Sequence, residues 1–498
     1  MPPGEVGIRR PRLAAGVGAA ALVAFGSAAA ADKPDEFREW QRREQAAFKQ
    51  FKDERDREFA EFLRTQWREF DAFRGIKRDP TPKPVVIPAA PRVPSPAPEV
   101  RKPPAPPPVV QVRPEEPRPP APSAPPAPAP PPGSKQVSLA FYGQGIVFHY
   151  HPSVEARLAG APGPETIANY WSDLGRSEYE PLLKRLRSVR DNLRLADWAY
   201  ADLVRAFSRH VHPRSENDEH LLVWFLLTKS GYRARVAYDA SRVHLFVSSE
   251  QKIYETKFLT IQGTPHYAAL VRDRGASVGQ VYTYDKEYPG QTRNIDLRLS
   301  SLQFTQPAIG YRELKFEYRD KKYAFRVPID RRVIEFMETY PVTDLQWYFL
   351  AATSDGTRTS LARELRAVTA GMDGDEALNL LLRFAQTAFA YKTDGDQFGR
   401  EKYMFVEETL SYPYSDCEDR AVLYAWLVRE VLGGEVVGLS YPGHVATAVR
   451  VRNMKPGAAT VDYDGKRYVV ADPTYIGADV GMAMSAYANV RPDIVRIR

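Results

Sequence analysis

Three residues of this chain could together carry acyl transfer by a thiol: Cys417, His444 and Asp472. Cys417 is the only cysteine, set in Ser415-Asp416-Cys417-Glu418-Asp419-Arg420 ahead of the apolar helical run Ala421-Val422-Leu423-Tyr424. Ser415 or Asp416 fits a helix N-cap, with acidic residues filling the first turn. The thiol therefore falls at a helix start, where the macrodipole and free amides favour thiolate. His444 lies 27 residues on, at the start of an alternating strand, and Asp472 ends another strand 28 residues later. A cysteine attacks as thiolate, an imidazole takes and returns its proton, and a carboxylate fixes the imidazole tautomer. The backbone amide of Cys417 is a ready oxyanion donor. Tyr412, Tyr414 and Gln397 are candidates for a second donor. Glu418 and Asp419 on their own raise the thiol pKa, and are expected to pair with Arg420 or cap the helix. A lone cysteine is by default a small buried hydrophobe. The joint order, spacing and cap placement outweigh that default.

The stretches Asp416-Cys417-Glu418-Asp419-Arg420-Ala421, Pro442-Gly443-His444-Val445 and Ala471-Asp472-Pro473-Thr474-Tyr475 resemble the transglutaminase-like superfamily of papain-like cysteine enzymes, over roughly residues 375–480. The resemblance implies Cys417 as nucleophile, His444 as general base and acid, and Asp472 as orienting residue. Many members place Trp after the cysteine, where this chain has Glu418. The superfamily includes proteases, amidases and cross-linking enzymes, so membership does not select a substrate. The expected activity is an exported thiol protease or amidase acting on peptide or protein substrates through a Cys417 thioester. The alternatives are a cross-linking transamidase and a non-catalytic periplasmic scaffold. No cofactor or metal is expected; His210, His212 and His220 come nearest to a ligand set.

The expected fold is α+β: a papain-like, transglutaminase-like core, duplicated, with an inactive first copy. The first copy is read from Glu216-Asn217-Asp218-Glu219-His220, laid over the Cys417 helix with Asn217 at the cysteine position. His244, 27 residues on, stands for His444, and Glu255 for Asp472. Without a thiol this copy would bind substrate or support the active one.

Farther out, residues 1–31 read as a signal peptide, with Arg9, Arg10 and Arg12 before an Ala-rich apolar run. An uncleaved inner-membrane anchor is the other reading. Either places the rest in the periplasm. Residues 32–78 read as a charged helix, its core at 35–74. Aromatic pairs Phe37/Trp40, Phe48/Phe51, Phe59/Phe62 and Phe70/Phe73 recur every 11 residues along one face. That face over 37–73 needs a partner: a second copy, a domain face or a surface. Residues 79–134 form a linker in which 24 of the 43 prolines fall between 80 and 132, a spacer of polyproline character. The remaining domains are 135–290 (degenerate copy), 291–340 (β-rich connection) and 341–498 (catalytic copy). A single cysteine excludes internal disulfides and multi-thiol metal sites. A net charge of +7 over 498 residues gives no nucleic-acid signature.

Overall fold

The computed structural model describes residues 34–71, 83, 87, 89–91, 132–270, 279–302 and 307–497. The signal-peptide reading of 1–31 lies outside them, as does most of the linker. The described residues are 39% helical and 25% strand, an α+β composition. Contacts divide it into two units, Met1–Glu54 and Arg55–Arg498. Among the described residues no helix is long and apolar enough to cross a membrane.

The N-terminal helix runs Pro34–Thr65, shorter than the 35–74 its periodicity predicts. Arg68–Asp71 is instead a strand, with Phe70 opposite Val281. Here a free sheet edge outcompetes the helical pattern, since tertiary pairing overrides local propensity. Within the larger unit, Phe59 is 1% exposed and its ring centroid lies 4.8 Å from Trp171 and 5.3 Å from Tyr288. The partner of this part of the aromatic stripe is thus a face of the chain itself.

The larger unit is built from one plan used twice. In the first half a hairpin (Lys135–Phe141, Gln144–Tyr150) precedes helices, of which Asp197–Val211 and Glu216–Lys229 pack on each other. The second of these lies on a sheet ordered Gln280–Thr283, Ala234–Tyr238, Val243–Ser248, Thr264–Tyr267, Phe258–Ile261, with Arg68–Asp71 added at the outer edge. In the second half a hairpin (Ile309–Tyr318, Lys321–Asp330) precedes helices, of which Gly374–Thr387 and Cys417–Leu432 pack together. Their sheet is ordered Asp493–Val495, Val436–Tyr441, His444–Val449, Lys466–Ala471, Thr460–Tyr463. Strand for strand, the two orders are the same.

Register makes the match quantitative. Ala234↔Val247, Val247↔Tyr267 and Phe258↔Tyr267 recur as Val436↔Val449, Val449↔Val469 and Thr460↔Val469, each displaced by 202 residues. His444 then corresponds to Arg242, and Asp472 to Leu270. The helix N-caps, Ser215 and Asp416, put Glu216 at the place of Cys417. This corrects the overlay of Asn217, His244 and Glu255 on the three site residues. The equal 27-residue spacing is coincidental, because the first sheet's hairpin turn holds 239–242 while the second's holds only 442–443. Asn217 instead accepts from Val243 N at 2.8 Å, and His244 bonds Asp239 at 2.7 Å.

Candidate functional site

Chain geometry brings the three candidates to one end of the second layer. The Cys417–Leu432 helix is about 24 Å long and the following strand about 20 Å. The strand returns antiparallel, so its hairpin with His444 comes level with the helix start. The Lys466–Ala471 strand pairs antiparallel with the His444 strand, Thr447 opposite Ala471, and delivers Asp472 to that same end.

Each group is fastened from behind. Arg420, 1% exposed, donates to Ser415 Oγ (3.0 Å), Gln386 O (3.1 Å) and Phe389 O (2.9 Å), tying the Cys417 helix to the end of the Gly374–Thr387 helix. It does not pair with Glu418 or Asp419, as its sequence position implied. Gln386 Nε2 donates to the carbonyls of Asp472 (3.1 Å), Tyr475 (2.8 Å) and Ala478 (3.0 Å). Asp472 Oδ1 accepts from the amides of Thr474 (2.9 Å) and Tyr475 (3.2 Å), leaving Oδ2 for His444 Nε2 at 2.9 Å. Both side chains are buried. His444 stacks on Tyr487, ring centroids 4.8 Å apart and planes 18° apart, and Tyr441 lies on the same face. Tyr441 and Tyr487 border a groove of about 640 Å³.

The thiol stands apart from this pair. His444 Nδ1 is buried and has no hydrogen-bond partner among the described residues. Cys417 Sγ, 1% exposed overall, donates instead to Glu418 Oε2 at 3.1 Å. Strand alternation gives the reason. Val445 and Val449 point into the core around the Cys417 helix, while Ala446 and Ala448, sharing the parity of His444, point into the cluster on the other face. The structure brings His444 to Asp472; it does not bring the thiol to the imidazole.

Glu418 belongs to a feature that sequence reasoning missed. Lys83, from the proline-rich segment, places its ammonium 2.8 Å from Asp416 Oδ2, 2.8 Å from Glu401 Oε1 and 3.4 Å from Asp394 Oδ2, and bonds Glu418 as well. Asp419 closes the helix start, accepting from Asp416 N (3.2 Å) and Met404 N (2.9 Å). These carboxylates approach one another closely enough to share a metal ion, in the groups Asp394, Asp416, Asp419 and Asp394, Glu401, Glu418. His210, His212 and His220 form no such group among the described residues; His220 Nδ1 bonds Val243 O at 2.6 Å.

One cation cannot keep so many buried acids ionised. Burial would raise Glu418, but Lys83 overrides it and holds the carboxyl down at about 2. Burial, followed by the charge of Glu418, lifts Asp394 to about 9 and Asp419 to about 7, and Asp416 well above the carboxylate range. Burial, then Glu418 and Asp416, push the Cys417 thiol far up, against the pull of Lys83. The thiolate-favouring effect expected of a helix start is therefore outweighed. Tyr412 and Tyr414 are committed elsewhere: the Tyr412 hydroxyl bonds Glu338, and Tyr414 is exposed with Lys392 over its ring. Gln397 is half-buried. Tyr391, which the motifs did not flag, lies near Cys417 and has a buried hydroxyl without a hydrogen-bond partner among the described residues.

No family model matches this sequence, and neither a curated protein nor a solved structure is significantly similar to it.

Proposed function

We propose that the chain is an exported thiol hydrolase with a papain-like, transglutaminase-like catalytic half and a catalytically inactive first half. The observation that carries this reading is the buried His444 Nε2···Asp472 Oδ2 bond at 2.9 Å, at the end of the layer where the chain's one cysteine starts a helix. With Nε2 anchored, Nδ1 is the atom left to take the thiol proton. Sγ would then attack a substrate carbonyl, the imidazolium would protonate the departing amine, and water would resolve the thioester. The amide of Cys417 and the Tyr391 hydroxyl are the candidate donors to the developing oxyanion. Before that, the thiol must leave Glu418 and the His444 imidazole must turn from the far face of the sheet toward the Cys417 helix, so this arrangement is a resting one. Lys83 is held protonated by its carboxylates, which argues against it as an acyl acceptor and leaves water as the simpler one. The first half offers Glu216, Arg242 and Leu270 where the second has its thiol, imidazole and carboxylate, which supports its reading as an inactive copy.

A second reading, a non-catalytic binding protein, draws on the thiol's present bond to Glu418. The two separate by acid-quenched mass spectrometry of the full chain after incubation with a proteome-derived peptide library. A hydrolase gives acyl adducts on Cys417, lost in Cys417→Ala and reduced at least about 100-fold in His444→Ala. Absence of any adduct, together with an iodoacetamide pH profile unchanged by His444→Ala, refutes the enzyme.

A further inference from the structure

We propose that the acid pocket beside Cys417 is a binding subsite for a lysine side chain of an extended, proline-flanked peptide, and that Lys83 of this chain occupies it as a built-in pseudo-substrate, with Ala89 and Ala90 docked nearby on the Asp472 loop. The substrate part rests on Cys417 being the nucleophile; the binding part does not.

The pocket is built for one cation. Asp416 and Glu418 are 0% and 1% exposed, Asp394 2%, and Lys83 itself only 15%. Asp416 Oδ2 takes Lys83, while its other oxygen, Oδ1, is fully buried with no hydrogen-bond partner among the described residues. An unoccupied pocket would leave the buried Glu418 carboxylate without its counter-charge, which is costly. The ammonium also lies 5.9 Å from the Tyr403 ring centroid, within reach of its π-face.

The backbone that carries the lysine is docked as well. Ala89 forms a parallel bridge with Ile476, and Ala90 N donates to Ile476 O at 2.8 Å. Ile476 lies four residues past Asp472, in the loop that Gln386 fastens. Five residues lie between Lys83 and Ala89, so the six Cα–Cα steps reach at most about 20 Å. The segment thus has one end on the acids flanking the thiol and the other on the Asp472 loop. Main-chain pairing for affinity plus one side-chain pocket for selectivity is the general mode of extended-peptide recognition. A peptide of this sequence, with prolines at positions 82, 84, 88 and 91, would lose less freedom on binding than a proline-free one. A substrate of similar chemistry would have to displace it, which fits the thiol's resting bond to Glu418.

The test uses the full chain and a fluorescein-labelled decapeptide of sequence 81–90, followed by anisotropy. Lys83→Ala empties the pocket, and Ala90→Pro removes the amide that bonds Ile476 without changing the pocket's charge. Lys83→Ala should bind the peptide at least about 10-fold more tightly than wild type. Ala90→Pro should gain roughly 5-fold, one hydrogen bond's worth. Neither should bind the same peptide with norleucine in place of lysine. Circular dichroism checks folding; if Lys83→Ala does not fold, Ala90→Pro decides alone. Equal binding by all three proteins, no binding by either folded variant, or indifference to norleucine overturns the subsite. Adding Cys417→Ala to either variant should leave binding intact. Lysine-selective binding without acyl adducts on Cys417 in the proteins that keep the thiol supports the subsite and defeats only the hydrolase. Adducts from lysine-free peptides at equal rates defeat only the subsite.

Discussion

Glu418→Gln isolates the charge that sets the state of the thiol. The Sγ···Oε2 separation is 3.1 Å, and both groups are buried. At an effective dielectric near 20, a thiolate and a carboxylate at that distance repel by about 5 kcal/mol, close to 4 pKa units. Asp416 persists in the variant and Lys83 loses one partner, which offset each other in part. A fall of at least about 2 units in the thiol pKa is therefore expected, with Gln still able to accept the S–H bond. Because Cys417 is the only cysteine, thiolate absorbance near 240 nm reports it alone. This absorbance does not depend on reagent access, which alkylation of a buried thiol would. The background of tyrosine ionisation is subtracted with Cys417→Ala. Titration of wild type from pH 6 to 10 should show no thiolate step, and Glu418→Gln should show one. Superimposable titrations, or a step in wild type alone, would refute the electrostatic reading of the pocket.

Asp394 and Asp419 carry protons in the folded chain at pH values where the unfolded chain has released them, so folding stability should fall as pH rises from about 4 toward 7 and 9. The slope is up to about 1.4 kcal/mol per pH unit for each group. Melting temperatures at pH 5 and pH 8 check this: wild type should melt lower at pH 8, Asp394→Asn should narrow the gap, and an equal or higher value at pH 8 counts against it. Gln386→Ala strips donors from three carbonyls and should cost roughly 3 kcal/mol in denaturant unfolding, while also lowering acyl-adduct yield by freeing the Asp472 loop. A loss under about 1 kcal/mol would mean that loop is held by other contacts. Phe59→Ala should destabilise by about 3–5 kcal/mol, since its ring is enclosed by Trp171, Tyr284 and Tyr288. A surface-like cost would place that helix end off the domain.

What the sequence disclosed was local. The acidic first turn after Asp416 announces a helix start at Cys417, and Gly443 and the alternation of Val445, Thr447 and Val449 announce a hairpin and strand. The α+β class follows from these patterns. Lys83 could not be read, because it lies 333 residues from Asp416 in a composition that otherwise forbids packing. Asp394 and Glu401 were hidden for the same reason: a buried acid and a surface acid look identical until their counter-ion is located. The strand at Arg68–Asp71 was masked by an 11-residue period that continues through Phe70. Duplication was legible as a pattern but not in register, since turn length and helix start shift independently.

The repeated plan also separates what the scaffold requires from what only the thiol-bearing half carries. In the first half the two packed helices are joined by residues 212–215 alone; in the second, by 388–416. That longer connection supplies Tyr391, Asp394 and Glu401, and ends on Ser415 and Asp416 at the threshold of Cys417. Helices and sheets repeat without it, so the fold does not require it. The half with the longer connection is the half with the thiol, the imidazole and its carboxylate; the half with the short connection has Glu216, Arg242 and Leu270 in their places. Buried carboxylates gathered without structural need weaken the domain and persist only where something offsets them. Their offset here is a lysine borrowed from a distant segment. An acid pocket confined to the thiol-bearing copy is therefore best read as part of what that thiol does.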